Sequence, residues 1–227
     1  MFSLQELIEH KRVRGESVSV LVQGPVGTIE LIVDTPEGLP CGVAIVAHPQ
    51  PLLGGNAKHK VPHLLARAAR DLGWLVVRPN FRGVGASEGM HDHGIGESED
   101  LFAVAMQLRL NYEQLPLALL GFSLGAFVQS RVARRLSESG MTASCVVLAG
   151  LPVGEVEGQR HYATETVSPD TLVVHGECDE RVSFNAVLAW ARPQSHPVVV
   201  IPGADHFFTG RLPVLRSLVV SHLSQSI

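Results

Sequence analysis

Ser123 lies in Gly121-Phe122-Ser123-Leu124-Gly125, at the end of an apolar run that begins with Leu117 and ahead of an amphipathic stretch over residues 126 to 139. A strand that turns sharply into a helix lifts the hydroxyl at the turn clear of the sheet, and such a turn needs glycine two residues before and two after the serine. Bulk at Gly121 or Gly125 would push strand and helix apart. A serine hydroxyl is a poor nucleophile, so it needs a base within hydrogen-bond reach. That base needs an acid to fix its tautomer and stabilise the imidazolium that forms. Candidates for both follow along the chain. Thr171-Leu172-Val173-Val174-His175, a second buried-strand pattern, opens into Gly176-Glu177-Cys178-Asp179-Glu180-Arg181-Val182. Val198 to Ile201, a third, opens into Pro202-Gly203-Ala204-Asp205-His206-Phe207-Phe208. We assign Ser123 as nucleophile, His206 as base and Asp179 as acid, for acyl transfer to water through an acyl-enzyme.

Rival residues are weighed against these. Asp205 adjoins His206, but neighbours in an extended loop point apart, so it reads as a solvated or structural carboxylate; Glu177 and Glu180 are the next alternatives to Asp179. His196 before Pro197 and His222 in the terminal helical stretch read as ordinary surface residues, whereas His48 and His175 end strands and are expected to hydrogen-bond loops at the floor of the site. The oxyanion that develops on the acyl carbonyl needs two preorganised donors, each worth about 3 to 4 kcal/mol of barrier. One is the Leu124 N–H at the start of a helix, where the helix field is also favourable. The other belongs on the loop after the strand ending at Ala47. Within His48-Pro49-Gln50-Pro51 the prolines have no N–H, so the Gln50 backbone is assigned, with Leu52 or Leu53 as the alternative if the loop bends differently.

Serine, acid and histidine in that chain order resemble the α/β-hydrolase superfamily, and within it the small, dienelactone-hydrolase-like bacterial serine hydrolases. The resemblance runs from about residue 17 to the C-terminus. It also rests on His48-Pro49-Gln50-Pro51 with Gly54-Gly55, on the segment from Arg78-Pro79-Asn80-Phe81-Arg82 to Gly89, and on His175-Gly176-Glu177. Dienelactone hydrolases proper carry cysteine as nucleophile, and this chain has Ser123, so their substrate is not carried over. The resemblance implies an α/β-hydrolase fold; the activity expected is hydrolysis of small or medium acyl esters, an uncapped site offering little surface for a peptide, with thioester and peptide cleavage as variants. A catalytically idle binding protein on the same scaffold is the alternative from another class.

These residues have to be positioned by a mostly parallel sheet. Strand patterns at 43–47, 74–78, 117–121, 145–149, 171–175 and 198–201 alternate with helical stretches, the βα repetition of a sheet covered on both faces. Each proposed site residue then falls just past a strand's C-terminal end, where open α/β sheets bind ligands. Residues 17–22 and 28–33 around Gln23-Gly24-Pro25 predict an antiparallel hairpin at one edge. Pro62 can open a helix whose apolar face is Leu64, Leu65, Ala68, Ala69 and Leu72, with Gly73 as its stop. The segment between Ala149 and Thr171, roughly 20 residues rich in Gly, Glu and Thr, reads as a loop too short for a cap domain, which implies a shallow, open site.

With 227 residues the chain reads as one domain, residues 1–227. A net charge of -4, with 18 basic and 22 acidic residues and the basic ones scattered, leaves no nucleic-acid footprint. Met1-Phe2-Ser3-Leu4-Gln5-Glu6 and the residues that follow lack the apolar core of a secretion signal, and no apolar run is long enough to cross a bilayer, so a cytoplasmic protein without membrane partners is expected. Cys41, Cys145 and Cys178 are odd in number and widely spaced, which reads as three reduced thiols. Gly83 to Gly89 is G-x-G-x-x-x-G, one residue too long for a dinucleotide fingerprint, and reads as a turn packed beside the elbow. His91-Asp92-His93 lacks a third ligand at useful spacing. No cofactor and no metal are expected; oligomeric state and physiological substrate are not legible.

Overall fold

The computed structural model describes residues 17–158 and 160–226; the expectation for the first residues of the chain lies outside the described ones. Among the described residues there are ten strands: β1 Ser17–Gln23, β2 Thr28–Asp34, β3 Gly42–Ala47, β4 Trp74–Pro79, β5 Leu117–Phe122, β6 Cys145–Ala149, β7 Gly154–Val156, β8 Arg160–Tyr162, β9 Leu172–Gly176 and β10 Val198–Ile201. The helices are α1 Lys60–Asp71, α2 Ile95–Asn111, α3 Leu124–Glu138, α4 Phe184–Ala191 and α5 Leu212–Leu223. Eight strands form one sheet in the order β1-β2-β4-β3-β5-β6-β9-β10. β1 and β2 are antiparallel to each other, β2 is antiparallel to β4, and the remaining pairs are parallel. This is the α/β-hydrolase architecture with its antiparallel edge. Among the described residues no helix is long and apolar enough to cross a membrane.

Burial follows from the two-residue period of the strands. Val43, Ile45 and Ala47 of β3, with Leu117 and Leu119 of β5, face α2 and α3. Ala44 and Val46, with Ala118, Leu120 and Phe122, face α1 and α5. Both faces being covered, the central strands are continuous apolar runs rather than alternating ones. The antiparallel edge is pinned differently: Arg78 of β4, buried, donates from Nε and Nη2 to the two carboxylate oxygens of Asp34 on β2, at 2.7 and 2.9 Å. A bidentate pair of this kind fixes strand register as well as charge.

Three features differ from the sequence expectation. α1 starts two residues before Pro62, with His59 as its N-cap accepting at Nδ1 from the Val61 N–H. The segment after β6 is not a plain loop; β7 and β8 pair there as a small antiparallel hairpin. His196 is not a surface residue either: it is 7% exposed and its Nε2–H donates to the Thr171 carbonyl at 2.9 Å. That bond ties the chain before β10 to the start of β9. His222 is half-buried.

Candidate active site

At the elbow, Ser123 has φ 55° and ψ -124°, a conformation that costs a non-glycine residue on the order of 1–3 kcal/mol. Its surroundings hold it there. The Ser123 N–H donates to the Ala149 carbonyl of β6 at 2.9 Å, and its own carbonyl receives the Ala126 and Phe127 N–H groups of α3. A Cβ on Gly121 would come within 2.3 Å of the Gly125 carbonyl oxygen, so the first glycine lets helix pack on strand, as expected. A Cβ on Gly125 would instead meet the Ala47 carbonyl oxygen at 2.3 Å and that of His48 at 2.7 Å. The second glycine therefore answers to the neighbouring strand β3, not to its own.

The three assigned side chains meet at the C-terminal rim of the sheet. Asp179 Oδ2 and His206 Nδ1 are 2.7 Å apart, and His206 Nε2 and Ser123 Oγ are 3.0 Å apart. The other Asp179 oxygen accepts the Arg181 and Val182 N–H groups, each at 2.9 Å. A carboxylate can only accept, so the His206 proton sits on Nδ1 and Nε2 is left to take one from the serine. The Asp179 side chain is 1% exposed. Its burial by itself would raise the carboxyl, but the hydrogen bond and charge of His206, the Val182 N–H and nearby His175 outweigh that and hold it below the ordinary carboxylate range. His206 packs against Phe122 and Phe207, ring centroids 5.1 and 5.3 Å away, which fixes the plane of the imidazole.

Two further histidines build the floor. His175 on β9 donates from Nε2 to the Val182 carbonyl at 3.1 Å, closing the far end of the acid loop. His48, wholly buried after β3, donates from Nδ1 to the Pro49 carbonyl at 2.7 Å and accepts the Phe81 N–H at Nε2 at 2.9 Å. Burial pushes its imidazole down to about 3, so it stays neutral and can keep both roles. In this way it ties the β3 loop to the β4 loop. The turn at Gly83–Gly89 is anchored to the β2 edge, where the Ser87 hydroxyl accepts the Glu30 N–H and a Glu88 carboxylate oxygen accepts the Thr28 N–H. His91 pairs with Glu97 at 2.7 Å rather than standing free. Asp205 accepts the Thr209 N–H at 2.8 Å, a structural role. Cys178 is exposed on the acid loop; Cys145 is buried in β6, its thiol pushed up to about 12 by that burial.

The β3 loop arranges the proposed donors. The Gln50 carbonyl receives the Leu53 and Gly55 N–H groups at 3.2 and 2.9 Å, and its side-chain oxygen receives the Leu52 N–H at 3.4 Å. Both alternatives are thus committed elsewhere. The Gln50 N–H makes no hydrogen bond among the described residues, and the Leu124 N–H, first in α3, has no preceding helical carbonyl to reach. A cavity of about 230 Å³ opens on Ser123 and His206 and is lined by Gln50, Leu53, His59, Tyr162, Phe207 and others. Phe208 is wholly buried, its ring centroid 6.3 Å from that of Phe122.

Sequence reasoning missed His59, Pro152, Arg160, Tyr162 and Arg181, all of which line this cavity. His59 carried a signal, as a residue able to cap the helix that follows. Tyr162 and Arg160 carried none, because strands of three residues are too short for a periodicity.

No protein-family model matches the chain. A serine hydrolase of the α/β fold without a lid from Xanthomonas campestris is 35% identical, with 94% of this chain and 96% of that one superimposed at a TM-score of 0.82. An α/β serine hydrolase homologue from Coxiella burnetii is 38% identical, covering 93% of this chain and 99% of that one at a TM-score of 0.78. An uncharacterized protein of Rickettsia prowazekii is 32% identical over 83% of this chain and 81% of its own length. With that identity to two α/β serine hydrolases over more than nine tenths of its length, and with the same sheet, the chain belongs to the α/β-hydrolase superfamily, among its small serine hydrolases without a lid.

Proposed function

We propose that this hydrolase cleaves small or medium acyl esters, with Ser123 as nucleophile, His206 as general base and then acid, and Asp179 as the group that orients and stabilises the imidazolium. The observation that carries the reading is the unbroken chain from Asp179 Oδ2 through His206 to Ser123 Oγ, at 2.7 and 3.0 Å. Ser123 Oγ attacks the acyl carbonyl as its proton passes to His206 Nε2, and the carbonyl electrons move onto oxygen. The Gln50 and Leu124 N–H groups receive that oxyanion. On collapse the C–O bond to the alcohol breaks, and the imidazolium protonates the departing oxygen. Water, deprotonated by the same nitrogen, then releases the acid and restores the serine. Esters are favoured over peptides because, among the described residues, no lid supplies the extended surface a peptide needs.

Hydrolysis of p-nitrophenyl esters of two to eight acyl carbons tests this. Wild-type protein is expected to turn over the shorter members, and Ser123→Ala to lose about 10⁴-fold or more in kcat while keeping its melting temperature. Equal rates in the two proteins would end the assignment.

A further inference from the structure

The cavity that opens on Ser123 has a charge the chain as a whole does not have. The protein carries a net charge of -4, yet among the described residues lining this cavity are two guanidinium groups, Arg160 and Arg181, and no aspartate or glutamate. Asp179 does not line the cavity; its carboxylate lies behind His206, hydrogen-bonded to that ring.

Arg160 is held by a neutral group, and Arg181 by an aromatic ring and a solvated carboxylate. Arg160, on β8, donates from Nε and Nη2 to the backbone carbonyl of Glu157 at 3.2 and 2.8 Å, a neutral acceptor, and lies beside the Tyr162 hydroxyl. That hydroxyl accepts from Gln50 Nε2 at 3.5 Å, which leaves its own proton to donate. Arg181 follows Asp179 by two residues, and the bond from its N–H to Asp179 Oδ1 fixes its backbone in the same turn that positions the acid. Its guanidinium sits 5.0 Å over the Phe207 ring, next to His206, so a planar cation is braced while its edge donors stay accessible. The Glu157 carboxylate approaches Arg181 at 3.4 Å, but both side chains are solvated and Glu157 does not line the cavity; such a pair is weak. The two arginines are joined through the backbone as well, the Glu157 N–H donating to the Arg181 carbonyl at 3.2 Å. A pair of forked donors with a tyrosine hydroxyl beside them matches an anionic oxygen group.

We infer that the preferred ester carries an anionic oxygen group, a carboxylate or a phosphate, held by Arg160 and Arg181 while its acyl carbonyl lies at Ser123. This rests on the ester-hydrolase reading of the same site. It adds to that reading a specificity that the triad alone does not supply.

The test compares esters matched in shape and different in charge. 4-Acetoxybenzoate and 4-acetoxyphenyl phosphate are set against neutral 4-acetoxybenzamide, placing the charge on the leaving alcohol. Monoethyl succinate is set against ethyl succinamate, placing it on the acyl group. The benzamide phenol is the better leaving group than the benzoate one, so intrinsic reactivity does not favour the benzoate. In the wild type kcat/KM is expected to be about ten-fold or more higher for the anionic member of at least one set, the contribution typical of hydrogen bonds to a charged group. Which member wins names the group and its side. The ratio is expected to fall toward one in the double variant Arg160→Gln, Arg181→Gln, and to stay at its wild-type value in Arg134→Gln, which removes one positive charge outside the cavity. If the double variant does not fold, the wild-type ratio is followed from low salt to 0.5 M, where screening should lower it. Hydrolysis of charged and neutral members at equal kcat/KM, or a ratio indifferent to both the double variant and salt, overturns the anion site and leaves the esterase reading standing. Hydrolysis of none of the five compounds overturns both.

Discussion

The elbow at Gly121–Gly125 and the excursion from Leu151 to Thr171 line the same cavity and are built on opposite terms. Around the elbow the backbone groups are spent on neighbouring strands, the glycines have carbonyl oxygens where a Cβ would go, and nearly every side chain is buried. In the excursion, two strands of three residues pair only with each other, a Cβ on Gly154 would meet nothing within 4 Å, and the side chains are largely half-buried or exposed. The proposed nucleophile stands on the first region, and Arg160, one half of the proposed anion site, on the second. A bond-making geometry tolerates little error, so it is held by packed elements; a wall that chooses among substrates can vary without disturbing them.

The largest expected effect falls on the acid. Asp179→Asn keeps the shape but presents an N–H donor where His206 needs an acceptor, so the imidazole is left in the wrong tautomer; kcat is expected to fall about 10⁴-fold with the fold intact. Steady-state kinetics beside a circular dichroism melt check it, and retained activity would remove Asp179 from the chemistry. The contrast between the regions is then tested by one added methyl in each. Gly125→Ala drives a Cβ against the Ala47 carbonyl at 2.3 Å and is expected to cost about 3 kcal/mol of unfolding free energy, the upper part of the range for overpacking. Gly154→Ala meets open space and bears only the left-handed backbone, φ 63°, at about 1 kcal/mol. Urea unfolding of both variants would break the comparison if the two losses were equal.

The last effect is a slope. His48 is protonated near 6.5 when unfolded and only near 3 in the folded protein, so between those values the unfolded chain binds more protons. The stability His48 contributes as a neutral ring is complete above pH 6.5 and is lost as pH falls toward 3, by up to about 1.4 kcal/mol per pH unit. His48→Gln can keep a donor for the Pro49 carbonyl and an acceptor for the Phe81 N–H but does not titrate. Its stability, measured by urea unfolding from pH 4 to 7, is expected to show a slope smaller by that amount.

The same contrast decides what could be read from the chain. The meeting of Ser123, Asp179 and His206 at one rim was legible because each follows an apolar strand run and the glycines around Ser123 are demanded by backbone contacts. The proposed Gln50 donor rests on elimination, since Pro49 and Pro51 cannot donate. α2 carried no clear apolar face because its buried side includes Glu97, which accepts the Gly94 and Asp92 N–H groups, and Asp100, which pairs with Arg82 at 2.8 Å through both oxygens. Polar residues satisfied inside the fold look the same in sequence as polar residues in water. His196 misled for that reason, its partner being a carbonyl 25 residues away. The wall formed by Arg160 and Tyr162 was hidden in a segment whose composition is that of a loop.

Covalent labelling tests the central claim most directly. A fluorophosphonate incubated with folded protein and followed by peptide mass spectrometry is expected to leave one adduct, on Ser123, and to react with His206→Ala at a rate lower by orders of magnitude. No adduct on Ser123, or labelling of the His206→Ala protein as fast as of the wild type, would contradict a serine activated by that histidine.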